Sequence, residues 1–209
     1  MHVHVTNDIY RDYQSRLNVV MDRIINRLNW LKETSYYYFG RIIESRIFIL
    51  VDISLSMKEY MKNVYKLLFR VLNEQILNSG KSFNIIAFNT EYHIWRNNFT
   101  FPTPGEIKLS LNWLKSIEIG GSTNIIPPLT NAIYNNATET VFLLSDGRSN
   151  ESVDEILSSL SGRHNLRINT ISFNMDNSPP NRLLYELSFK TSGVCATFVL
   201  QNHSRTLRV

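Results

Sequence analysis

The sequence predicts an α/β fold, in which a doubly wound, mostly parallel sheet carries helices on both faces and follows an N-terminal amphipathic helix. Three observations support this prediction. After Gly40, short β-rich runs alternate with helical segments, which is the pattern of βαβ units. The run at residues 47–51 is apolar throughout, as expected of a central parallel strand. Before Gly40, apolar residues recur at steps of three and four. We therefore expect a Rossmann-like sheet behind a helical arm.

The predicted arm spans residues 1–40 and contains one long helix with a single apolar stripe. Polar residues and arginines fill its other face. We expect the stripe to pack on the domain that follows, and the alternative is docking onto a neighbouring domain or another chain. The aromatic cluster at residues 36–39 lacks interleaved Lys or Arg, so we interpret it as a packed junction rather than a base-stacking platform. The stripe consists of Ile9, Tyr13, Leu17, Val20, Ile24, Leu28 and Leu31.

Residues 41–209 are predicted to form one domain around the sheet. A first long helix should end at Ser79 and Gly80, and Pro179 and Pro180 should open the last helix. The third strand follows the second after a short turn, which indicates a hairpin. Strands are predicted at residues 47–51, 83–88, 92–95, 140–144, 166–171 and 194–200. The first long helix is predicted at residues 57–78, and further helices at residues 104–117 and 152–160.

The composition indicates an ordinary globular protein without a strong preference for a charged partner. The 209 residues are 43% hydrophobic and 19% charged. A net charge of +4 is small for this length, so binding to nucleic acid is not expected from charge alone. The basic residues Arg163, Arg167, Arg205 and Arg208 keep a nucleic-acid-associated domain open as an alternative.

The cellular location is predicted to be intracellular and cytoplasmic. The chain has one cysteine, Cys195, so it cannot form the intrachain disulfide that is common in secreted domains. Its start lacks the basic and apolar segments of a secretory signal. Since no uninterrupted apolar run is long enough to span a bilayer, we expect no membrane partner.

Polar side chains follow two predicted central strands and fill one loop between them. Asp52, Ser54 and Ser56 follow the strand at residues 47–51, and Asp146 follows the strand at residues 140–144. Thr123 lies in the glycine-rich loop at residues 120–124. Ligands of open α/β sheets bind beyond the carboxyl ends of central strands, near the point where the strand order reverses. All three segments are therefore expected at one binding crevice.

The residue types in this crevice offer two carboxylates and three hydroxyls. Hard oxygen donors of this kind suit magnesium, which keeps several waters and takes few carboxylates. In the Asp-x-Ser-x-Ser segment, Asp52, Ser54 and Ser56 are expected to converge on one point, while Ile53 and Leu55 point into the body. The sequence therefore predicts a magnesium site, at which manganese could substitute.

These motifs resemble the von Willebrand factor A domains and their metal-ion-dependent adhesion site. The resemblance rests on Asp52, Ser54, Ser56, Thr123 and Asp146, and it extends from about residue 46 to about residue 200. It implies that the three hydroxyls touch the ion directly and that the two aspartates act largely through water. It also implies that the ion binds an Asp or Glu of a partner protein, with no bond breaking and no small-molecule substrate.

Two further features bear on this resemblance. The arm and the stretch from Arg46 to Ser54 resemble the intracellular branch of the family, in particular the group of von Willebrand factor A domain-containing protein 3. Pro127 and Pro128, soon after Thr123, are less usual for the family. Prolines fit the first turn of a helix, so we expect a helix to begin there.

Two other interpretations of the strand-end residues stay open. One is a polar strand end that only caps the next helix. The other is a magnesium-dependent phosphoryl transferase or hydrolase with Asp52 as nucleophile. Enzymes of the haloacid dehalogenase type have a second aspartate where this chain has Ser54, and no Gly-x-x-x-x-Gly-Lys loop occurs. Both differences argue against catalysis.

Overall fold

The computed structural model describes residues 6–159, 166–175 and 178–200 of the chain. Its six strands form one sheet with the order β3-β2-β1-β4-β5-β6. All neighbouring pairs are parallel except the β2–β3 hairpin. The strands are β1 (Arg46–Asp52), β2 (Ser82–Phe88), β3 (Tyr92–Ile94), β4 (Thr140–Ser145), β5 (Arg167–Asn174) and β6 (Cys195–Val199). The predicted strands and the doubly wound arrangement are confirmed.

Seven α-helices accompany these strands within the described residues. The helix α5 begins in the segment that contains Pro127 and Pro128, so the expected first helical turn at these prolines is confirmed. The helices are α1 (Asn7–Glu33), α2 (Tyr36–Phe39), α3 (Met61–Val71), α4 (Pro104–Ser116), α5 (Ile126–Tyr134), α6 (Val153–Ser159) and α7 (Arg182–Lys190).

The sheet separates two hydrophobic cores. Successive residues of β1 point to opposite faces, so Ile49 packs with α3 and α4, whereas Leu50 packs with α5, α6 and α7. Both side chains are almost completely buried. Because both faces of β1 and β4 are covered by helices, these two strands carry polar side chains only at their ends.

The predicted helix at residues 57–78 is divided into three parts. A 3-10 turn spans Leu55–Tyr60, the α-helix α3 follows, and a π turn spans Leu72–Ile76. The 3-10 turn forms because Met57 donates its backbone N–H to the Ser54 carbonyl only three residues earlier, at 3.0 Å. The prediction of one continuous α-helix was therefore wrong at both ends.

The last helix does not open at the two prolines. Asn181 caps α7, and its side-chain oxygen accepts the backbone N–H of Leu183 at 2.9 Å. Pro179 and Pro180 lie before this cap. The prediction placed the helix start too early, because an asparagine cap was the stronger signal.

The N-terminal helix does not pack on the domain behind it. None of the residues of α1 is buried, and Tyr13 of its apolar stripe is 65% exposed. The expected packing of the stripe was wrong, and docking onto a neighbouring domain or chain stays a prediction. Neither α1 nor any other helix of the described segments is long and apolar enough to cross a membrane.

The aromatic cluster after α1 is a packed junction, as predicted. Phe39 is buried, and its ring centroid lies 5.3 Å from that of Phe142. Tyr38 contacts Phe198 at the same centroid distance. The cluster therefore attaches α2 to one face of the sheet, beside β4 and β6.

Candidate metal-binding site

The candidate site lies where the strand order reverses. The chain passes from β1 outward to β2 and β3, and then returns to β4 on the other side of β1. Asp52 ends β1, and Ser145 ends the neighbouring strand β4. In open α/β sheets this position opens a crevice at the carboxyl ends of the strands.

Asp52 is completely buried, and other residues of the crevice hold its carboxylate in place. Its Oδ1 accepts the backbone N–H of Ser54 at 2.8 Å, and its Oδ2 accepts the hydroxyl of Ser145 at 2.6 Å. Burial raises the pKa of Asp52, the hydrogen bonds from Ser145 and Ser54 oppose the rise, and the charge of Asp146 adds to it. The charged form is therefore costly unless a cation is near.

The two serines of the Asp-x-Ser-x-Ser segment lie side by side. The Oγ atoms of Ser54 and Ser56 are 3.2 Å apart. Ile53 is buried in the core as expected, but Leu55 is 63% exposed. The expected alternation stops at Ser54, because Leu55 begins the 3-10 turn and its side chain leaves the pleat.

The glycine-rich loop places Thr123 beside Asp52. Gly120 donates its N–H to the Ile53 carbonyl at 3.0 Å, and the Gly121 carbonyl accepts the N–H of Leu55 at 3.2 Å. Gly121 has a φ of +74°, a conformation that glycine adopts without strain. As a result, the Thr123 hydroxyl lies 3.4 Å from Asp52 Oδ2.

Asp146 presents a buried carboxylate oxygen that receives no hydrogen bond. Its side chain is 3% exposed, and its Oδ1 accepts the backbone N–H of Arg148 at 3.2 Å. Within the described part of the chain its Oδ2 accepts no hydrogen bond, although Arg148 Nε lies 3.4 Å away as an ion-pair partner. Gly147 completes the turn with a φ of +72°. A buried carboxylate oxygen in this condition is a potential ligand, since burial without a hydrogen bond is unfavourable.

All five predicted residues therefore meet in one crevice. They bring together neutral hydroxyls and two carboxylates, which is a donor set that fits a small hard cation such as magnesium. Among the described residues no cluster of three or more His, Cys, Asp or Glu is found. The set consists of Asp52, Ser54, Ser56, Thr123 and Asp146.

Glu151 supports the site and was not predicted from the sequence. Its carboxylate accepts the backbone N–H of Ile125 at 2.6 Å and of Ile126 at 3.0 Å, at the start of α5. It also accepts the hydroxyl of Ser149 at 2.8 Å, and Ser149 forms a β-bridge with Thr123. Glu151 thus fixes the segment that carries Thr123. An acidic side chain is favourable at a helix N-terminus. The sequence did not indicate this role, because the N–H groups that Glu151 binds lie 25 and 26 residues away from it in the chain.

Replacing Glu151 with alanine is expected to lower the free energy of unfolding by about 1 kcal/mol, because two N–H groups of the helix start lose their acceptor. Urea unfolding of both proteins measures the difference. Glu118→Ala, at an exposed glutamate, serves as the control and should unfold like the wild type. Equal unfolding of the two variants would show that the Glu151 contacts contribute nothing.

The fold is shared with solved structures at low sequence identity. A von Willebrand factor type A structure from Catenulispora acidiphila matches with a TM-score of 0.61 at 14% identity. The match covers 76% of this chain and 39% of that chain. At this identity the likeness establishes the fold alone.

Sequence relatives place the chain more closely. Human von Willebrand factor A domain-containing protein 3B is 30% identical over 92% of this chain, and human protein 3A is 29% identical over 87%. The chain spans only 15% and 16% of the lengths of these relatives. The predicted resemblance to the group of protein 3 is confirmed.

The family assignment covers most of the described domain. The family description "von Willebrand factor type A domain" matches residues 45–196, which run from just before β1 into β6. The matched range includes all five crevice residues and Glu151. The chain belongs to the von Willebrand factor type A domain family, whose members are typically protein-interaction modules.

Proposed function

We propose that this chain is a protein-binding domain that depends on a divalent cation and captures an acidic side chain of a partner. The cation is magnesium, with manganese as a substitute, and it is held by Asp52, Ser54, Ser56, Thr123 and Asp146. The observation that carries the proposal is the buried Oδ2 of Asp146, which accepts no hydrogen bond from the described residues and lies near the buried carboxylate of Asp52.

The proposed ligands divide into two chemical groups. Ser54, Ser56 and Thr123 supply neutral oxygens, so they hold a cation without cancelling its charge. Asp52 and Asp146 supply the negative charge from buried positions. Bound magnesium would then offer a positively charged coordination position to an Asp or Glu carboxylate of the partner. Selectivity for acidic partners follows from this residual charge.

An enzyme with Asp52 as nucleophile and a nucleic-acid-binding domain both gain no support from the geometry. A nucleophile must reach its substrate, whereas Asp52 is completely buried and both of its oxygens accept hydrogen bonds. For nucleic-acid binding, Arg167 already pairs with Glu44 at 3.2 Å. The other three arginines considered, Arg163, Arg205 and Arg208, lie outside the described residues.

The proposal concerns the domain and not the whole of its longer relatives. An intracellular, cytoplasmic location is part of it, and it rests on the single cysteine, which cannot form an intrachain disulfide. The partner is proposed to be a protein that exposes Asp or Glu. No small molecule, nucleic acid or membrane is required by this mode of binding.

Peptide display tests the proposal directly. A random peptide library is selected on the wild-type domain in magnesium and, in parallel, in chelator. We expect peptides rich in Asp or Glu from the magnesium selection only, and loss of their binding when the acidic residue becomes Asn or Gln. Selection of the same peptides in chelator would contradict the metal-dependent mechanism.

Replacing Thr123 with alanine is expected to weaken magnesium-dependent peptide binding about tenfold, because one direct oxygen is lost while the sheet is undisturbed. Titration of a selected peptide in magnesium gives the dissociation constant. Thr130→Ala makes the same change within α5, away from the crevice residues, and should bind like the wild type. Undiminished binding by Thr123→Ala would remove Thr123 from the site.

A further inference from the structure

Arg148 touches the same carboxylate oxygen that the proposed cation would use. Its Nε lies 3.4 Å from Asp146 Oδ2, while its backbone N–H donates to Oδ1 of the same side chain at 3.2 Å. The Arg148 side chain is 69% exposed, whereas that of Asp146 is 3% exposed. An exposed guanidinium therefore lies against a buried carboxylate.

The contact between these two side chains is easily broken. An ion pair with an exposed arginine contributes little to stability, since water screens it and the long side chain loses entropy. The Arg148–Asp146 ion pair also lacks hydrogen-bond geometry, so the buried Oδ2 accepts no hydrogen bond. A divalent cation on Oδ2 would repel the guanidinium, so the two positive groups compete for Asp146.

A cavity beside Asp146 can accommodate the guanidinium of Arg148 after a cation displaces it. The cavity has a volume of about 320 Å³, and Asp146 and Arg148 both line it. The amides of Asn174 and Asn181, which also line it, are already engaged with Ser178 and Leu183. Arg148 is the only positively charged side chain among the described residues of this lining.

We propose that Arg148 is a displaceable counter-ion of the metal site and, once displaced, a second contact for the partner's carboxylate. In the metal-free domain it neutralises Asp146. When a cation takes Asp146, the guanidinium stays next to the site and donates hydrogen bonds to the acidic group that the partner presents. This inference rests on the proposed function and adds to it a positioning and specificity residue that lies outside the five-residue motif.

The first test measures magnesium affinity by calorimetry, with the metal alone as probe. Arg148→Gln is expected to bind magnesium about threefold more tightly, because the competing charge is gone. Arg148→Lys keeps the charge and should resemble the wild type. Arg167→Gln makes the same substitution at the start of β5, where the arginine pairs with Glu44, and should leave the affinity unchanged.

The second test measures binding of a selected acidic peptide in saturating magnesium. Here Arg148→Gln is expected to bind about threefold more weakly than the wild type, since the second contact to the carboxylate is lost. Opposite changes in metal affinity and peptide affinity form a signature that general damage to the domain does not produce.

The outcomes separate the inference from the proposed function. A wild-type domain that binds no magnesium contradicts the proposed function itself. If the wild type binds magnesium and Arg148→Gln binds it equally well, the counter-ion role is wrong. Unchanged peptide binding by Arg148→Gln would likewise exclude the second contact, with the metal site intact.

Discussion

Replacing Asp146 with alanine is expected to abolish the stabilisation that magnesium gives to the wild-type domain. With an assumed dissociation constant of about 1 mM, about 10 mM magnesium adds about 1.4 kcal/mol by mass action. For a domain of this size that corresponds to a rise of about 3–6 °C in melting temperature. Loss of the buried carboxylate should weaken magnesium binding about a hundredfold, so the rise disappears.

Thermal melts in chelator and in magnesium decide this prediction. In chelator, Asp146→Ala should melt no lower than the wild type, because the charge of Asp146 disfavours the charged form of Asp52. The Arg148 ion pair that is lost at the same time is exposed and weak. Asp154→Ala removes an aspartate that pairs with Lys190 on the surface, and it should keep the full magnesium response.

The interpretation of the motif as a mere helix cap predicts the reverse pattern. It gives no magnesium effect in the wild type and a modest loss of stability on mutation. A wild-type melt that is indifferent to magnesium would therefore count against the metal site.

The strands and the five crevice residues could be predicted because their signals are local. A central parallel strand must be apolar on both faces, so the first polar residue after it, such as Asp52, marks the end of the strand. Topology then places the ends of β1 and β4 side by side. The exposure of Leu55 could not be predicted, because it depends on a 3-10 turn that replaces extended chain.

The remaining features depend on contacts between segments that are distant in sequence. The spacing of the apolar residues shows which face of α1 is apolar, but it does not show whether another element covers that face. The exposure of the stripe therefore could not be predicted. Glu151 acquires its role only when the fold brings the start of α5 to it. Arg148 follows Asp146 by two residues, yet its contact with Oδ2 depends on the turn at Gly147.

Replacing Asp52 with asparagine is expected to stabilise the metal-free domain at neutral pH by about 2 kcal/mol, because a buried charge is removed while the shape is kept. The asparagine oxygen can still accept the backbone N–H of Ser54, whose nitrogen lies 2.8 Å from Asp52 Oδ1 in the wild type. The same variant should show no stabilisation by magnesium, since the neutral amide is a poor replacement for the carboxylate.

The stability advantage of Asp52→Asn over the wild type should depend on pH. Burial raises the pKa of Asp52 above its ordinary value of 3.8, so the folded domain binds this proton more tightly than the unfolded chain does. The stability of the wild type in chelator should therefore fall as the pH rises from 3.8 through the raised pKa, and it should stay reduced at neutral pH. Asp52→Asn lacks this loss, so its advantage should shrink as the pH is lowered.

Urea unfolding in chelator, at a series of pH values, measures the difference between the two proteins. Asp154→Asn is the matched control, and its pH dependence should have the opposite sign. Lys190 lowers the pKa of Asp154, so the contribution of the charged Asp154 to stability is lost as the pH falls. If Asp52→Asn is less stable than the wild type at neutral pH, the hydrogen bonds from Ser54 and Ser145 outweigh the cost of burying the charge. The charged form of Asp52 would then be stabilised by these hydrogen bonds alone, and the cost of its burial would no longer favour binding of a cation.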